Sequence, residues 1–251
     1  MSTMKKLSSA LITVLLAAIT LSFTVIDETE PPADEDQVRP LAIVTRFRPT
    51  VEKFTKEDGR YVMDVVGEKL FSGDTLVTQK DGYALVVFAS DKSVAKVKPE
   101  SMLIVNGESS TTSKMTNRLI DLKEGSIKLE IEPIGSGSFE VKTSRSLASV
   151  KGTVFGNDSK GYIWVKRGQV DVTALNSGQT VSLFEQMFAN VDPGGNSVES
   201  GTLTDQQLNS LDEGYDELDE DMIEKTIIIR FRDANGQVRE IPVNILEKGN
   251  N

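Results

Sequence analysis

The sequence contains no cysteine and no histidine. Their absence rules out disulfides, thiol nucleophiles, lipid attachment at a cysteine, and every Cys- or His-ligated metal site. It also removes acid–base catalysis through imidazole. Positive charge is scarce as well: 28 Lys and Arg stand against 38 Asp and Glu, a net charge of −10. Without Lys5 and Lys6 the remainder carries −12. A surface this acidic repels phosphate backbones, and no basic run offsets it, so nucleic acid is not an expected partner. Long apolar runs are missing except for one at the N-terminus.

That run sets the compartment. Met1 to Lys6 carries two lysines, and Leu7 to Ile26 is then twenty residues without a charge. A basic start followed by an apolar run is a signal peptide or a membrane anchor, so residues 1–26 have one of those two roles. Thr20-Leu21-Ser22 is a poor A-x-A match, and both readings stand. Lysines before the run and Asp27, Glu28, Glu30, Asp34, Glu35 and Asp36 after it place the N-terminus in the cytoplasm and export the rest. With three prolines and six acids, residues 27–40 read as a disordered acidic spacer.

Residues 41–191 read as a β domain. Short β-branched and aromatic runs recur there, and between Leu70 and Leu183 turn signals return about every 8 to 12 residues. No segment has a helical apolar period long enough to compete. The central stretch, Phe139 to Val172, holds three such runs: Phe139 to Thr143, Val150 to Phe155, and Tyr162 to Val172. In the last, Ile163 and Val165 point one way and Tyr162 and Trp164 the other. Gly152 and Gly168 interrupt strand-like runs, where a residue without Cβ marks a bulge, a bend or a close backbone approach. The expected fold class is an all-β core, β-solenoid or β-roll-like, with a β-sandwich as the alternative. An N-terminal hydrophobic helix, a C-terminal acidic helix and a β-hairpin accompany it.

Residues 192–251 change texture. Thr204-Asp205-Gln206-Gln207 fits a capping box, and Leu208, Leu211, Tyr215, Leu218 and Met222 follow at steps of three and four opposite an acidic face. This amphipathic helix is weakened at Gly214 by about 1 kcal/mol relative to alanine. A hairpin over Thr226 to Val243 ends the chain. A two-residue turn at Asn235-Gly236 would set Arg232 against Arg239. A three-residue loop with Gly236 left-handed instead pairs Ile229 with Ile241, Ile227 with Val243 and Arg230 with Glu240, and is the expected register.

No residues are assigned to catalysis, cofactor binding or metal binding. Ser93 and Lys96 match S-x-x-K, but positions i and i+3 of a strand face opposite ways. The acids around Asp219 to Asp221 form no calcium-loop pattern and read as a solvated helix face. The candidate interaction surface is Ile227, Ile229 and Phe231, a stripe that could pair with a partner's sheet or close the chain's own, together with Tyr162 and Trp164.

Several pieces in order carry a family resemblance: Gly73-Asp74-Thr75-Leu76-Val77-Thr78, Gly82-Tyr83-Ala84-Leu85, Val97 to Leu103 and Leu122 to Ser126. Phe139 to Thr143, Val150 to Phe155 and Val165 to Val172 continue the series. Over about Gly73 to Gln179 the chain resembles the FecR domain family. Lys92 stands where that family usually has glycine in a D-G-S turn. The resemblance implies a periplasmic β-rich module that takes a signal from a TonB-dependent outer-membrane receptor, or contacts another FecR-like regulator component. With only Met1 to Lys6 ahead of the apolar run, what carries over is the exported domain as an interaction module. It would be periplasmic, or anchored in the inner membrane through an uncleaved N-terminus. The alternative reading is a peptidoglycan- or polysaccharide-binding envelope module built on exposed aromatics.

Overall fold

Each strand of a two-sheet structure can bury only one of its faces in the space between the sheets, so alternating apolar residues decide which face turns inward. The computed structural model describes residues 40–55, 57–107, 117–133, 137–216, 222–233 and 236–248. All of them belong to the compact unit Asp36–Asn251. The N-terminal apolar segment and nearly all of the acidic spacer lie outside the described residues. Among the described residues no helix is long and apolar enough to cross a membrane.

The chain builds two sheets in alternation. It opens with β1 (Ala42–Arg48) in the first sheet, then lays β2 (Val51–Thr55) and β3 (Gly59–Val62) in the second. The short β4 (Glu68–Leu70) returns to the first and β5 (Thr75–Thr78) to the second. Next come β6 (Tyr83–Phe88) and β7 (Val94–Val97) in the first, then β8 (Ser101–Gly107) and β9 (Asn117–Glu124) in the second. A lone β10 (Ser126–Glu130) in the first precedes β11 (Ser138–Lys142) and β12 (Ser146–Val150) in the second. The first sheet then gains β13 (Val154–Asp158) and β14 (Tyr162–Arg167), and the second β15 (Gln169–Ala174) and β16 (Thr180–Phe184). Finally β17 (Met187–Val191) and β18 (Val198–Thr202) complete the first.

Among the described residues each sheet has nine strands, and neither closes into a barrel: the first ends at β18 and β4, the second at β16 and β3. Every neighbouring pair is antiparallel except β9 and β11. Because β10 stands alone between them, the chain comes back to the second sheet travelling in its earlier direction.

One apolar cluster fills the space between the sheets. Val86, Leu129, Phe155 and Val165 of the first sheet meet Leu103, Ile120, Val141 and Val172 of the second in it. Phe88 and Phe139 join edge to face across the gap, with ring centroids 5.0 Å apart. The expected all-β core is present, and Ile163 and Val165 do face it while Tyr162 and Trp164 face out.

Two of the central runs differ from the sequence reading. Tyr162 to Val172 is two strands, β14 and β15, in different sheets, and Val150 to Phe155 is divided between β12 and β13. The breaks fall at Gly168 and Gly152, where the chain changes sheets. Gly168 has a φ of +90°, and a Cβ there would stand 2.7 Å from the Gly152 carbonyl oxygen. Both the backbone conformation and the close approach therefore require glycine.

The outer face of the first sheet is covered by the C-terminal segments. Helix α1 (Asp205–Glu213) has Thr204 as its N-cap with the full capping box: Gln207 N–H donates to the Thr204 hydroxyl, and Thr204 N–H donates to the Gln207 side chain. The helix stops at Gly214, earlier than the apolar spacing suggests. Leu218 and the Asp219 to Asp221 acids lie outside the described residues, and Met222 belongs to a strand.

That strand, β19 (Met222–Arg232), pairs with β20 (Val238–Lys248) in the expected register, with Ile227 opposite Val243, Ile229 opposite Ile241 and Arg230 opposite Glu240. Gly236 takes a φ of +72°.

A single register row explains how the helix finds its place: Leu85, Lys96, Lys128, Gly156, Trp164, Phe188 and Gly201 are successive partners across the first sheet. The Trp164 indole lies over Gly156, where any Cβ would overlap it, and the Phe188 ring lies over Gly201. Leu208 and Tyr215 close over Trp164 from above.

Gly156→Ala forces the indole off the sheet. It is expected to cost about 2 kcal/mol, in the range of overpacked cores. Because Trp164 is the only tryptophan, the lifted ring should also redden the protein's emission. An unchanged melting temperature and unchanged emission would contradict the packing.

Candidate interaction surfaces

The buried charges of the described residues join one element to another. Asp212 of α1 is gripped by Lys128 of β10 and Lys166 of β14, one on each carboxylate oxygen. Glu130 lies 3.5 Å from Lys128 and 3.6 Å from Lys96. Burial opposes ionisation of Asp212, but the two ammonium groups outweigh it and hold the carboxyl below its ordinary 3.8. The same bond, against a smaller effect of burial, holds Lys166 above its ordinary value. Burial, with Asp158 and Asp212 nearby, pushes the Tyr215 phenol up. The Lys98 ammonium sits 4.2 Å above the Tyr215 ring centre.

At the β3–β4 end of the sheets, Lys53 follows Val51 on the inward face of β2. Its ammonium reaches Glu68 at 3.0 Å, Asp74 at 3.2 Å and the Lys69 carbonyl. Tyr61 donates to Glu68 at 2.6 Å. Burial works against the charge on Lys53, but these partners prevail and raise its pKa, while Tyr61 and Lys53 lower that of Glu68 against burial. Elsewhere Arg118 of β9 stacks on Phe139 and pairs with Asp91 in the β6–β7 turn. Ser93 is engaged in that turn too, donating to Asp91 at 2.8 Å. The S-x-x-K pair is thus divided between two structural contacts, Ser93 with Asp91 and Lys96 with Glu130.

An open groove of about 730 Å³ follows the ends of the crossovers, from Phe54 and Arg60 past Lys80, Glu100 and Glu124 to Asp158 and Lys160. Its floor is set where Gly125, with φ +80° and no Cβ, admits Ser101, whose hydroxyl accepts from Ser126 N–H at 3.1 Å. Three bases and three acids line it, a lining suited to an extended polar segment. No motif could have announced it, since its residues come from turns and strand ends spread over more than a hundred positions.

The five residues singled out from sequence fall in two places. Ile227 and Ile229 pack with Ile241 and Val243 onto Tyr83, Leu85, Val87 and Val94, so the hairpin lies face-down on its own first sheet. Phe231 is half-buried on the same strand. Trp164 is 3% exposed beneath α1, and Tyr162 stacks half-buried on Phe188 with ring centres 5.6 Å apart. The acidic helix was legible as solvated charge. That one of its aspartates clamps it to two lysines was not, because Lys128 reads as an outward residue between Ile127 and Leu129. Among the described residues no group of three or more acidic side chains is placed to hold a metal.

Asp212→Asn should release α1 at a cost of about 3 kcal/mol, the low end for a broken buried pair because Glu130 still faces Lys128. The readout is a red shift of Trp164 emission at neutral pH, with the sheets still folded by circular dichroism. For the unmodified chain the sign is set by the lowered carboxyl: the contribution of Asp212 is complete above 3.8 and disappears as pH falls through its lower folded value. Trp164 emission should hold steady from neutrality down to that point. A red shift beginning near pH 6 would refute the assignment.

Residues 74–171 match the sequence model of the family described as FecR protein. No curated protein matches the sequence. Among solved structures, two crystal structures of a candidate anti-sigma factor from Parabacteroides distasonis ATCC 8503 are similar at 16% identity, with TM-scores of 0.47 and 0.46. Each match covers 56% of this chain and spans 64% or 65% of the other. The matched stretch begins at Asp74 beside Lys53 and runs into β15, and over it the chain is similar to the FecR family.

Proposed function

We propose that this chain is a non-enzymatic FecR-domain protein of the bacterial envelope that acts by contact with another protein in signalling. The FecR match over residues 74–171 carries the reading, because that family is regulatory. The chemistry of the fold is consistent with it: Lys53, Arg118, Lys128 and Asp212 spend their charges tying elements together. The apolar N-terminal run and the acids after it favour export, with the bulk of the chain in the periplasm. The partner would be an envelope protein such as a TonB-dependent receptor or another FecR-like component. The polysaccharide alternative needs an aromatic platform, and Trp164 lies beneath α1.

Deleting the chain in its native host and profiling transcripts tests the role. A change confined to the genes of one sigma factor, reversed by re-expression, is expected. A transcript profile indistinguishable from the parent under envelope stress and nutrient limitation would overturn the signalling role. Pelleting of the folded protein with purified peptidoglycan would favour the alternative.

A further inference from the structure

A sheet edge invites pairing unless it is short, charged, bulged, capped or interrupted by proline. Among the described residues five of the six sheet edges are defended in this way. β4 is three residues long with Glu68 and Lys69, and β3 is four with Gly59 and Arg60. β18 carries Glu199 and Gly201, and its Val198 N–H is taken by the Gln179 side chain at 3.1 Å. In the hairpin, Arg230 and Arg232 mark β19. Pro242 interrupts β20 opposite Ile228.

The sixth edge is different. β16 reads Thr180-Val181-Ser182-Leu183-Phe184, with no charge, proline or glycine. Thr180, Ser182 and Phe184 are exposed, Phe184 to 54%. Ala174 N–H donates to the Gln179 carbonyl, which fixes the alternation along the β15–β16 ladder. Thr180, Ser182 and Phe184 therefore turn their backbone N–H and C=O groups away from β15. Among the described residues only the Met187 thioether, 3.4 Å from Phe184 N–H, meets that row. Sulfur is a weak acceptor that an incoming carbonyl would displace.

The edge is also complementary to itself. Laid antiparallel about a two-fold axis at Ser182, it pairs Thr180 with the second copy's Phe184 and Val181 with the second copy's Leu183. These are aromatic–β-branched and aliphatic pairs of the kind that stabilise sheets. One step further out, Gln179 meets Glu185, so no like charges face each other. We propose that β16 is a homodimer edge, joining two copies of this chain through their second sheets in that register. The inference is independent of the signalling role.

The lack of cysteine makes the test direct. In the paired register the two Ser182 Cα atoms would be about 5.5 Å apart, inside the window of about 4.4–6.8 Å that a disulfide spans. The two Thr180 Cα atoms would be about 14 Å apart, four residues along the strand and one strand across. Full-length Ser182→Cys, oxidised mildly, is expected to give disulfide-linked dimer at least about fivefold above Thr180→Cys and above Lys160→Cys. Lys160 is exposed in the β13–β14 turn of the first sheet, off the β16 edge. Equal crosslinking by all three variants, none by Ser182→Cys, or capture of a different protein by Ser182→Cys would overturn the proposal. Stronger crosslinking through Thr180→Cys would overturn the register.

Discussion

The outer face of the first sheet cannot be left to water. Leu85 and Val87 crowd one end of it, Trp164 and Phe188 the other, and the stems of Lys96 and Lys128 lie between. The segments after β18 answer to that requirement. A nine-residue helix is marginal alone, and so is a two-stranded hairpin. Here the helix is fixed by Leu208, Tyr215 and Asp212, and the hairpin by its isoleucine face. Helix and hairpin are stable only on the sheet they cover, which is why so small an amphipathic helix can keep an indole dry.

The sequence was legible wherever alternation was clean. It announced the β core, the opposite faces of Ile163 and Trp164, the capping box at Thr204 and the hairpin register, in which charge and apolar matching select one pairing. It misled where alternation continues through a change of sheet. Val170 and Val172 keep the alternation of Tyr162 and Trp164 across Gly168, so the run looks like one strand, although Ile163 and Val165 line one wall of the core and Val170 and Val172 the other. The glycine was the signal, and its left-handed φ is invisible without coordinates. The surface was less legible still. Ile227 and Trp164 look like exposed candidates because nothing local to them tells that distant segments, about 50 to 140 residues away, lie against them.

The ion pairs draw the domain larger than the family match. Asp74, at the first matched position, completes the Lys53 cluster with a residue that precedes the match. Lys128 and Lys166, within the match, hold an aspartate well beyond its end. β1 pairs with β6 on one side and β4 on the other, so removing the unmatched N-terminal strands would leave the long apolar β6 as a bare edge of the first sheet. Each pair is worth little as surface charge, but where burial is high its loss strands a lysine. The strands and segments outside the match are therefore part of the folding unit.

The second sheet makes the opposite choice from the first. Across its outer face run Phe54, Thr75, Ile104, Asp121, Lys142, Leu147, Thr173 and Thr180, partners in register. Short hydroxyls and charges alternate there with single apolar side chains. Several bond across strands: Thr173 with Thr180 at 2.9 Å, and Ser182 to Asp171 at 2.6 Å. Such a face is content in water and offers no broad apolar patch. A protein that meets others through this side has two means left, the polar groove along the crossovers and the main chain of an edge. Main-chain pairing tolerates an acidic surface, because amide and carbonyl dipoles carry no net charge. Contact of that kind sits easily with a net charge of −10.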